Sequence, residues 1–190
     1  MDPDLELLEA VAVGDEHALV ALIQRHKEGV FRFLYRMLGN EHDAAELSEE
    51  VFVKVWNSAD GFRSGRGQVA SWILSIAANH CRDYMRRQRR RPWISLFEAS
   101  SGRDEGLSVS ESEADPSADT LRTVEMRELV DRMEAEVARL PERLRTPFVL
   151  AALEERPHRE VAEILNVSEK TVETRLYRAR KHLREALGEV

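Results

Sequence analysis

The sequence predicts an all-α fold of two small helical domains joined by an acidic, flexible linker. Apolar residues recur at helical spacing along most of the chain, whereas the alternating pattern of strands is nearly absent. Glycine and proline are scarce, with 9 and 6 in 190 residues, which favours long helices over turns. Residues 94–120 lack this periodicity and carry one basic against seven acidic residues. We therefore expect domains at residues 1–93 and 121–190, with residues 94–120 as the linker.

The composition argues against several classes of protein. A single cysteine, Cys81, permits no internal disulfide and fits a reducing compartment. The acidic start of the chain lacks the basic and apolar regions of a signal peptide. No apolar run approaches the roughly 18–20 residues that span a bilayer. We expect a cytoplasmic protein.

The first domain is predicted to contain four helices. A short apolar stripe ends at Gly14, and Asp15 is a suitable N-cap for a long second helix that ends at Gly39. The third helix should bury Ala44, Leu47, Val51 and Val55, with Phe52 and Trp56 beside them. Residues 60–68 contain three glycines and are typical of a loop. The fourth helix should begin near Val69, stop before Pro92 and turn inward Val69, Ile73, Ile76, Ala77, His80 and Tyr84.

The second domain is predicted to begin with a helix after Thr120. Its apolar positions are Met126, Leu129, Met133, Val137 and Leu140. A further helix should run from Pro141 to about Leu153, with Pro147 either kinking it or marking its true first turn. The last two helices are expected at about residues 158–165 and 169–187.

The clearest motif lies in residues 159–187 and predicts a helix-turn-helix. Asn166 lies in the turn, where a residue tolerant of positive φ is needed, and Ser168 is a good N-cap for the second helix. That helix should bury Val172, Leu176, Ala179 and Leu183. Its other face is polar and basic, as in helices that enter the major groove of DNA. The competing interpretation is a surface helix whose positive charges are merely solvated.

A second basic cluster lies at the end of the fourth helix. Six arginines fall between Arg82 and Arg91, opposed only by Asp83. Cations favour a helix C-terminus, but six exceed what a helix end requires, so a phosphate-binding track is the better interpretation. Just upstream, Trp72 and Asn79 suit the capture of unstacked bases. Trp72 alone is equally consistent with a core residue, whereas an amide gains little on an apolar helix without a hydrogen-bonding role.

At these residues the chain resembles the extracytoplasmic-function (ECF) sigma factors, bacterial transcription-initiation factors of the sigma-70 family. Residues 140–183 resemble the family's C-terminal domain, which reads the −35 promoter element. Residues 43–56 resemble its helix that binds core RNA polymerase. Residues 70–91 resemble its helix that melts and reads the −10 element. The resemblance extends over nearly the whole chain, and the three segments together, in their order and spacing, are far more specific than any one alone.

The resemblance implies roles for particular residues. Contacts with the β′ clamp helices of the polymerase would involve Glu46, Glu49, Glu50 and Phe52. Single-stranded −10 DNA would meet Phe62, Arg63, Trp72, Asn79, Arg82, Arg86 and Arg87. The −35 duplex would meet Ser168, Lys170, Thr171, Glu173, Thr174, Arg175, Arg178 and Lys181. The family also implies a linker in the polymerase cleft, a contact with the β flap, and an anti-sigma partner.

The chain departs from the family pattern at several positions. Glu49 stands where the family usually has Gln, and Ala45-Glu46 where it more often has Glu-Asp. Glu173 occupies a position of the recognition helix that is often basic, so a relative's −35 sequence cannot be transferred to this chain. Arg156-Pro157-His158 replaces a lead-in that usually contains glycine.

Three other classes of protein are alternatives to a sigma factor. A dimeric helix-turn-helix regulator would explain residues 159–187 but leave the arginine cluster and the acidic segment unused. A sigma mimic that binds only an anti-sigma protein should have lost its basic surfaces, yet both are present. An enzyme is the least favoured, because the six histidines lack metal-ligand spacing and no phosphate-binding glycine motif occurs. We expect no cofactor, no metal and no catalytic residues.

Overall fold

The computed structural model describes residues 2–62, 67–89 and 119–188, and throughout these ranges the predicted all-α fold is confirmed. The N-terminal domain comprises four helices: α1 (Leu5–Ala12), α2 (Glu16–Leu38), α3 (Glu41–Ser58) and α4 (Val69–Arg89). A single 3-10 turn, Ala59–Gly61, follows α3. The C-terminal domain comprises α5 (Asp119–Arg139), α6 (Glu142–Phe148), α7 (His158–Leu165) and α8 (Glu169–Leu187). Most of the predicted linker lies outside the described residues.

Helix ends in the N-terminal domain follow the predicted signals. The Asp15 carboxylate accepts hydrogen bonds from the backbone N–H groups of His17 and Ala18, at 2.8 and 3.2 Å, and thereby caps α2. Gly39 ends α2 in the left-handed conformation, with φ of 68°. Asn40 then caps α3 by accepting from the backbone N–H of Asp43. These ends fix the angle at which α2 and α3 pack against each other.

The core of the N-terminal domain is formed where α2, α3 and α4 cross. The predicted buried face of α3 is confirmed, and Phe33, Leu34 and Met37 of α2 pack against it with almost no exposure. The inner face of α4 is shifted slightly from the prediction. Leu74 and Cys81 are fully buried, whereas Ile76 and Tyr84 are only half-buried at its margin.

The apolar stripe predicted for α5 is only partly a core face. Val137 and Leu140 are buried, but Met126, Leu129 and Met133 are 59%, 37% and 45% exposed. The helical pattern is therefore confirmed, but only the end of the stripe contributes to the core. The described neighbours of α5, chiefly α8 and α2, cover only its C-terminal end.

Of the two alternatives predicted for Pro147, a first turn is excluded, because the helix already begins at Glu142. Pro147 lies inside α6, one residue before the helix ends at Phe148. A π-helical turn follows at Val149–Leu153, and it closes with the backbone N–H of Glu154 donating to the carbonyl of Val149 at 2.9 Å. This turn places Glu154 against the N-terminal domain.

The two domains are packed together. The main contact joins α4 to α7, and α2 also contacts α5 and the π-helical turn. Leu140, Leu144 and Val149 belong to the same continuous set of buried apolar residues as the N-terminal core. The periodicity of apolar residues along the sequence does not predict this docking.

Candidate nucleic-acid interface and apolar groove

The helix-turn-helix has the predicted local geometry. Asn166 adopts the left-handed conformation, with φ of 51° and ψ of 50°, and ends α7. Ser168 Oγ accepts a hydrogen bond from the backbone N–H of Thr171 at 3.2 Å, which caps α8. The predicted inner face of α8 is buried: Val172, Leu176, Ala179 and Leu183. The first turn of α8 is therefore held rigidly, as a helix that reads DNA requires.

The outer face of α8 presents most of the predicted −35 residues to solvent. Ser168, Lys170, Glu173, Thr174, Arg178 and Lys181 are exposed, and Thr171 and Arg175 are half-buried. Several of these side chains are engaged locally. Lys170 Nζ lies 3.3 Å from a Glu173 oxygen, and Thr174 Oγ1 donates to the Lys170 carbonyl at 2.9 Å. Glu173 therefore offsets the charge of Lys170 at the front of the helix, while Arg175 and Arg178 pair with no carboxylate among the described residues.

The predicted −10 residues lie along α4 and the loop before it. Phe62 and Trp72 pack edge-to-face with ring centroids 5.5 Å apart, and both are half-buried. Trp72 thus has a structural contact and is also partly exposed. Asn79 is exposed, and its Oδ1 accepts from Arg82 Nη1 at 3.0 Å. Arg63 lies outside the described residues, as do Arg90 and Arg91.

The arginines of α4 differ in what they contact. Arg86 pairs with Asp83 at 2.9 Å within its own helix, and Arg87 is exposed. Arg82 is different, because its Nε donates to a Glu142 oxygen of the C-terminal domain at 3.0 Å. One of the predicted strand-binding cations is therefore occupied by a carboxylate of this chain.

A polar pocket of about 450 Å³ lies beside Asn79. It is lined by side chains from α3 and α4: Lys54, Asn57, Ser58, Ile76, Asn79, His80 and Asp83. His80 is buried and its Nε2 contacts a Glu50 oxygen, so Glu50 orients the ring at one wall. Sequence reasoning missed Lys54 and Asn57, because nothing in the local pattern of α3 indicates which of its polar residues face α4.

An open apolar groove of about 980 Å³ runs between α2 and α3. Its apolar lining consists of Leu19, Val20, Ile23, Phe31, Ala45, Phe52, Val53 and Trp56. Of the four predicted polymerase-binding residues, Phe52 and Glu49 line the groove. Glu46 is exposed outside it, and Glu50 pairs with His80 instead. Sequence reasoning missed the exposed Val20 and Val53, whose signal was an apolar residue outside the buried stripe of an amphipathic helix.

No helix in residues 2–62, 67–89 and 119–188 is long and apolar enough to cross a membrane.

Comparison with known proteins gives consistent matches over both domains. The family model for sigma-70 region 2 matches residues 22–91, and that for sigma-70 region 4 matches residues 131–183. The chain is 30% identical over 184 residues to the ECF RNA polymerase sigma factor SigW of Bacillus subtilis (strain 168), covering 96% of each chain.

Two solved structures share the fold. One is CnrH in complex with the cytosolic domain of CnrY, with a TM-score of 0.65, 23% identity, and coverage of 98% of this chain and 97% of that chain. The other is the sigma factor RpoE in complex with the anti-sigma factor NepR from Bartonella quintana. Its TM-score is 0.61 at 17% identity, with coverage of 88% of this chain and 94% of that chain.

Proposed function

Since the chain belongs to the ECF RNA polymerase sigma factors, we propose that it attaches core polymerase to a promoter through three separate surfaces. These are the apolar groove, the loop and α4 surface, and the outer face of α8. The observation that carries the proposal is that one chain has two basic helical surfaces and a distinct apolar groove. The domain division at residues 1–93, 94–120 and 121–190 is part of the proposal.

The apolar groove is our candidate contact for the β′ clamp helices. Its lining is mostly apolar, and its charged residues are three glutamates, Glu16, Glu28 and Glu49, against one cation, Lys27. An amphipathic helix whose apolar side chains are flanked by basic residues would fit this combination. Glu46 adds an exposed carboxylate on α3, and Glu50 acts indirectly by holding His80.

The surface formed by loop 60–68 and α4 is our candidate for the melted −10 strand. Flipped bases would enter beside Asn79, whose amide can read a base edge, and Trp72 would offer its partly exposed ring. The phosphates would lie along Arg82, Arg86 and Arg87. Binding the open strand shifts the melting equilibrium without any chemical step, since a ligand shifts an equilibrium by its differential affinity.

The outer face of α8 is our candidate for the −35 duplex. The capped first turn places Lys170, Thr171 and Thr174 at the front of the helix, where base edges are read. Arg178 and Lys181, further along, would hold phosphates. Glu173 can accept a hydrogen bond from the amino group of cytosine.

Two further partners belong to the proposal. The exposed apolar stripe of α5, Met126, Leu129, Val130 and Met133, is our candidate contact for the β flap. An anti-sigma factor is proposed because the related RpoE of Bartonella quintana is described in complex with one.

The test is run-off transcription with bacterial core polymerase, combined with a variant of the groove. Val53 is 60% exposed in the groove, so Val53→Asp puts a charge there without disturbing the core. We expect affinity for core polymerase to fall about tenfold or more, as for other central interface residues. Val13→Asp is the matched control, because Val13 is 87% exposed outside the groove.

Wild-type chain and Val13→Asp should start transcription at a defined site, whereas Val53→Asp should do so only at raised concentration. A wild-type chain that neither binds core polymerase nor directs initiation would refute the proposed function.

A further inference from the structure

Carboxylates of the C-terminal domain contact cations and polar groups of the N-terminal domain at several places. Glu142 accepts from Arg82 at 3.0 Å, and Glu160 accepts from the Ser71 hydroxyl at 2.8 Å. Glu154 accepts from two arginines of α2. These residues are far apart in sequence, so the contacts depend on docking of the domains.

Glu154 is the most completely satisfied of these carboxylates. Its side chain is only 5% exposed. Arg32 donates to it through Nε at 3.0 Å and Nη2 at 2.8 Å, and Arg36 Nη1 donates at 2.5 Å. Fork-like pairing of this kind is both strong and specific in geometry. The same contact raises the pKa of Arg32 through its hydrogen bond with Glu154.

Glu154 lies away from the proposed strand surface. Arg32 and Arg36 belong to the C-terminal half of α2, whereas the proposed strand residues belong to α4 and the preceding loop. A change at Glu154 therefore alters the docking of the domains without altering any group proposed to touch the strand.

The docked C-terminal domain covers part of the proposed strand surface. Glu142 accepts a hydrogen bond from Arg82, which the proposed function assigns to the strand. A Cβ atom placed on Gly67, in the loop before α4, would lie 3.0 Å from a carboxylate oxygen of Glu163. Glutamate carboxylates therefore stand beside groups that would otherwise face phosphates and bases.

The docked chain is also too compact to contact both promoter elements at once. The −10 and −35 elements are centred about 25 base pairs apart, or roughly 85 Å at 34–36 Å per turn of B-DNA. A compact chain of this length has a radius of gyration of only about 16 Å. Since Ser71 of α4 touches Glu160 of α7, the docked domains hold the two DNA-binding surfaces much closer than the two elements.

We propose that the C-terminal domain is an intramolecular competitor of the single-stranded −10 DNA, held in place by the contact of Glu154 with Arg32 and Arg36. The inference rests on the proposed function of α4. In the docked state Arg82 is paired with Glu142 and Gly67 lies beside Glu163, and separation of the domains frees both residues for the strand. The apolar groove is lined by α2 and α3 alone, so it stays open in the docked state. Core polymerase can therefore bind first.

The test measures strand binding and compactness in the full-length chain. The probe is a fluorescein-labelled 20-nucleotide single-stranded DNA of randomised sequence, and compactness is the radius of gyration from small-angle X-ray scattering. In Glu154→Gln the arginines lose their anionic partner. We expect the strand to bind roughly three- to tenfold more tightly, since apparent affinity scales with the competent fraction, and the radius of gyration to increase.

Glu155→Gln is the matched control, because it makes the same change of charge at the next residue. Glu155 is exposed and forms no ion pair with another described residue. A second variant, Glu142→Gln, releases Arg82 directly and should also tighten strand binding. Circular dichroism establishes that each variant is folded.

Several outcomes would overturn the inference. In one, Glu154→Gln has the wild-type radius of gyration. In another, the radius of gyration rises but strand affinity stays at the value of Glu155→Gln. If no variant binds the strand while wild-type chain still directs run-off transcription, the inference is wrong and the proposed function survives. Loss of both activities in the wild-type chain would refute both.

Discussion

At the scale of single residues, two aspartates that precede α1 form polar contacts with other helices of the N-terminal domain. Asp4 is buried, and its carboxylate contacts Arg25 at 2.5 Å and His26 at 2.8 Å. The neighbouring Asp2 accepts from the backbone N–H of Val69 at 2.6 Å and so binds the first residue of α4. The acidic segment therefore ties α1 to both α2 and α4.

The Asp4 contacts predict a dependence of stability on pH. Burial raises the pKa of Asp4, but hydrogen bonds and charges from Arg25 and His26 together lower it below the ordinary value of 3.8. A carboxyl whose pKa is lowered by folding stabilises the native state above its unfolded pKa, and this contribution disappears as the pH falls through the folded pKa. Asp4→Asn should therefore lower the free energy of unfolding by about 1–3 kcal/mol at pH 7.

Urea denaturation of Asp4→Asn and wild type between pH 2.5 and 7 measures this effect. The difference between them should shrink below about pH 4. Glu9→Gln, on the exposed side of α1, is the control and should leave stability unchanged at every pH. A difference that is constant over the whole range would show that the Asp4 charge is not responsible.

Single residues also show where sequence reasoning succeeds. Asn166, Ser168 and Asp15 were assigned correctly because a helix cap depends only on its immediate neighbours. Arg145 and Glu154 carried no such signal. Their partners, Met37 and Arg32, lie more than 100 residues away in sequence, and no local pattern records that separation.

At the scale of elements, the bounds of α7 and α8 were predicted from sequence, because turn residue, cap and apolar stripe agree with one another. The π-helical turn at Val149–Leu153 was not predicted, since a proline in a helical pattern indicates only that the helix is perturbed. The groove between α2 and α3 was not predicted, although two of its lining residues were named as polymerase-binding residues. Phe52 and Glu49 were identified, but its width depends on how two helices cross.

The recognition helix α8 gives a prediction about specificity. Arg175 is half-buried in the second turn of α8, in the N-terminal half of the helix from which base edges are read. Arg175→Ala should weaken binding to the preferred −35 duplex by about 1–3 kcal/mol and relax the preference at one position. Run-off transcription from a template library randomised in the −35 element measures both effects.

The control for Arg175→Ala is Arg184→Ala, which removes the same charge from the exposed last turn of α8. Loss of a phosphate contact weakens binding almost equally for all sequences, whereas loss of a base contact changes the preferred sequence. An unchanged −35 preference in Arg175→Ala would exclude it from base reading.

At the scale of the whole molecule, a buried cation lies between the domains. Arg145 is 8% exposed, and its guanidinium donates to the carbonyls of Met37 at 2.8 Å and Leu140 at 3.1 Å. Both carbonyls lie at C-terminal ends of helices, where the helix dipole favours a positive charge. Burial lowers the pKa of Arg145, and its Nε has no hydrogen-bond partner among the described residues. Arg145 is therefore costly to bury, and its two carbonyl contacts must offset that cost.

Arg145 predicts that the domains unfold cooperatively. Arg145→Met keeps much of the apolar volume but leaves the carbonyls of Met37 and Leu140 without their donor, which should cost about 1–3 kcal/mol. Scanning calorimetry should show one transition in the wild type and two in Arg145→Met, because the C-terminal domain then unfolds separately. Arg145→Lys should restore coupling only in part, because a single ammonium cannot reproduce two fixed donors. Arg143→Met, at an exposed position of the same helix, should melt like the wild type. If Arg145→Met also shows a single unshifted transition, apolar packing alone couples the domains, and the guanidinium does not.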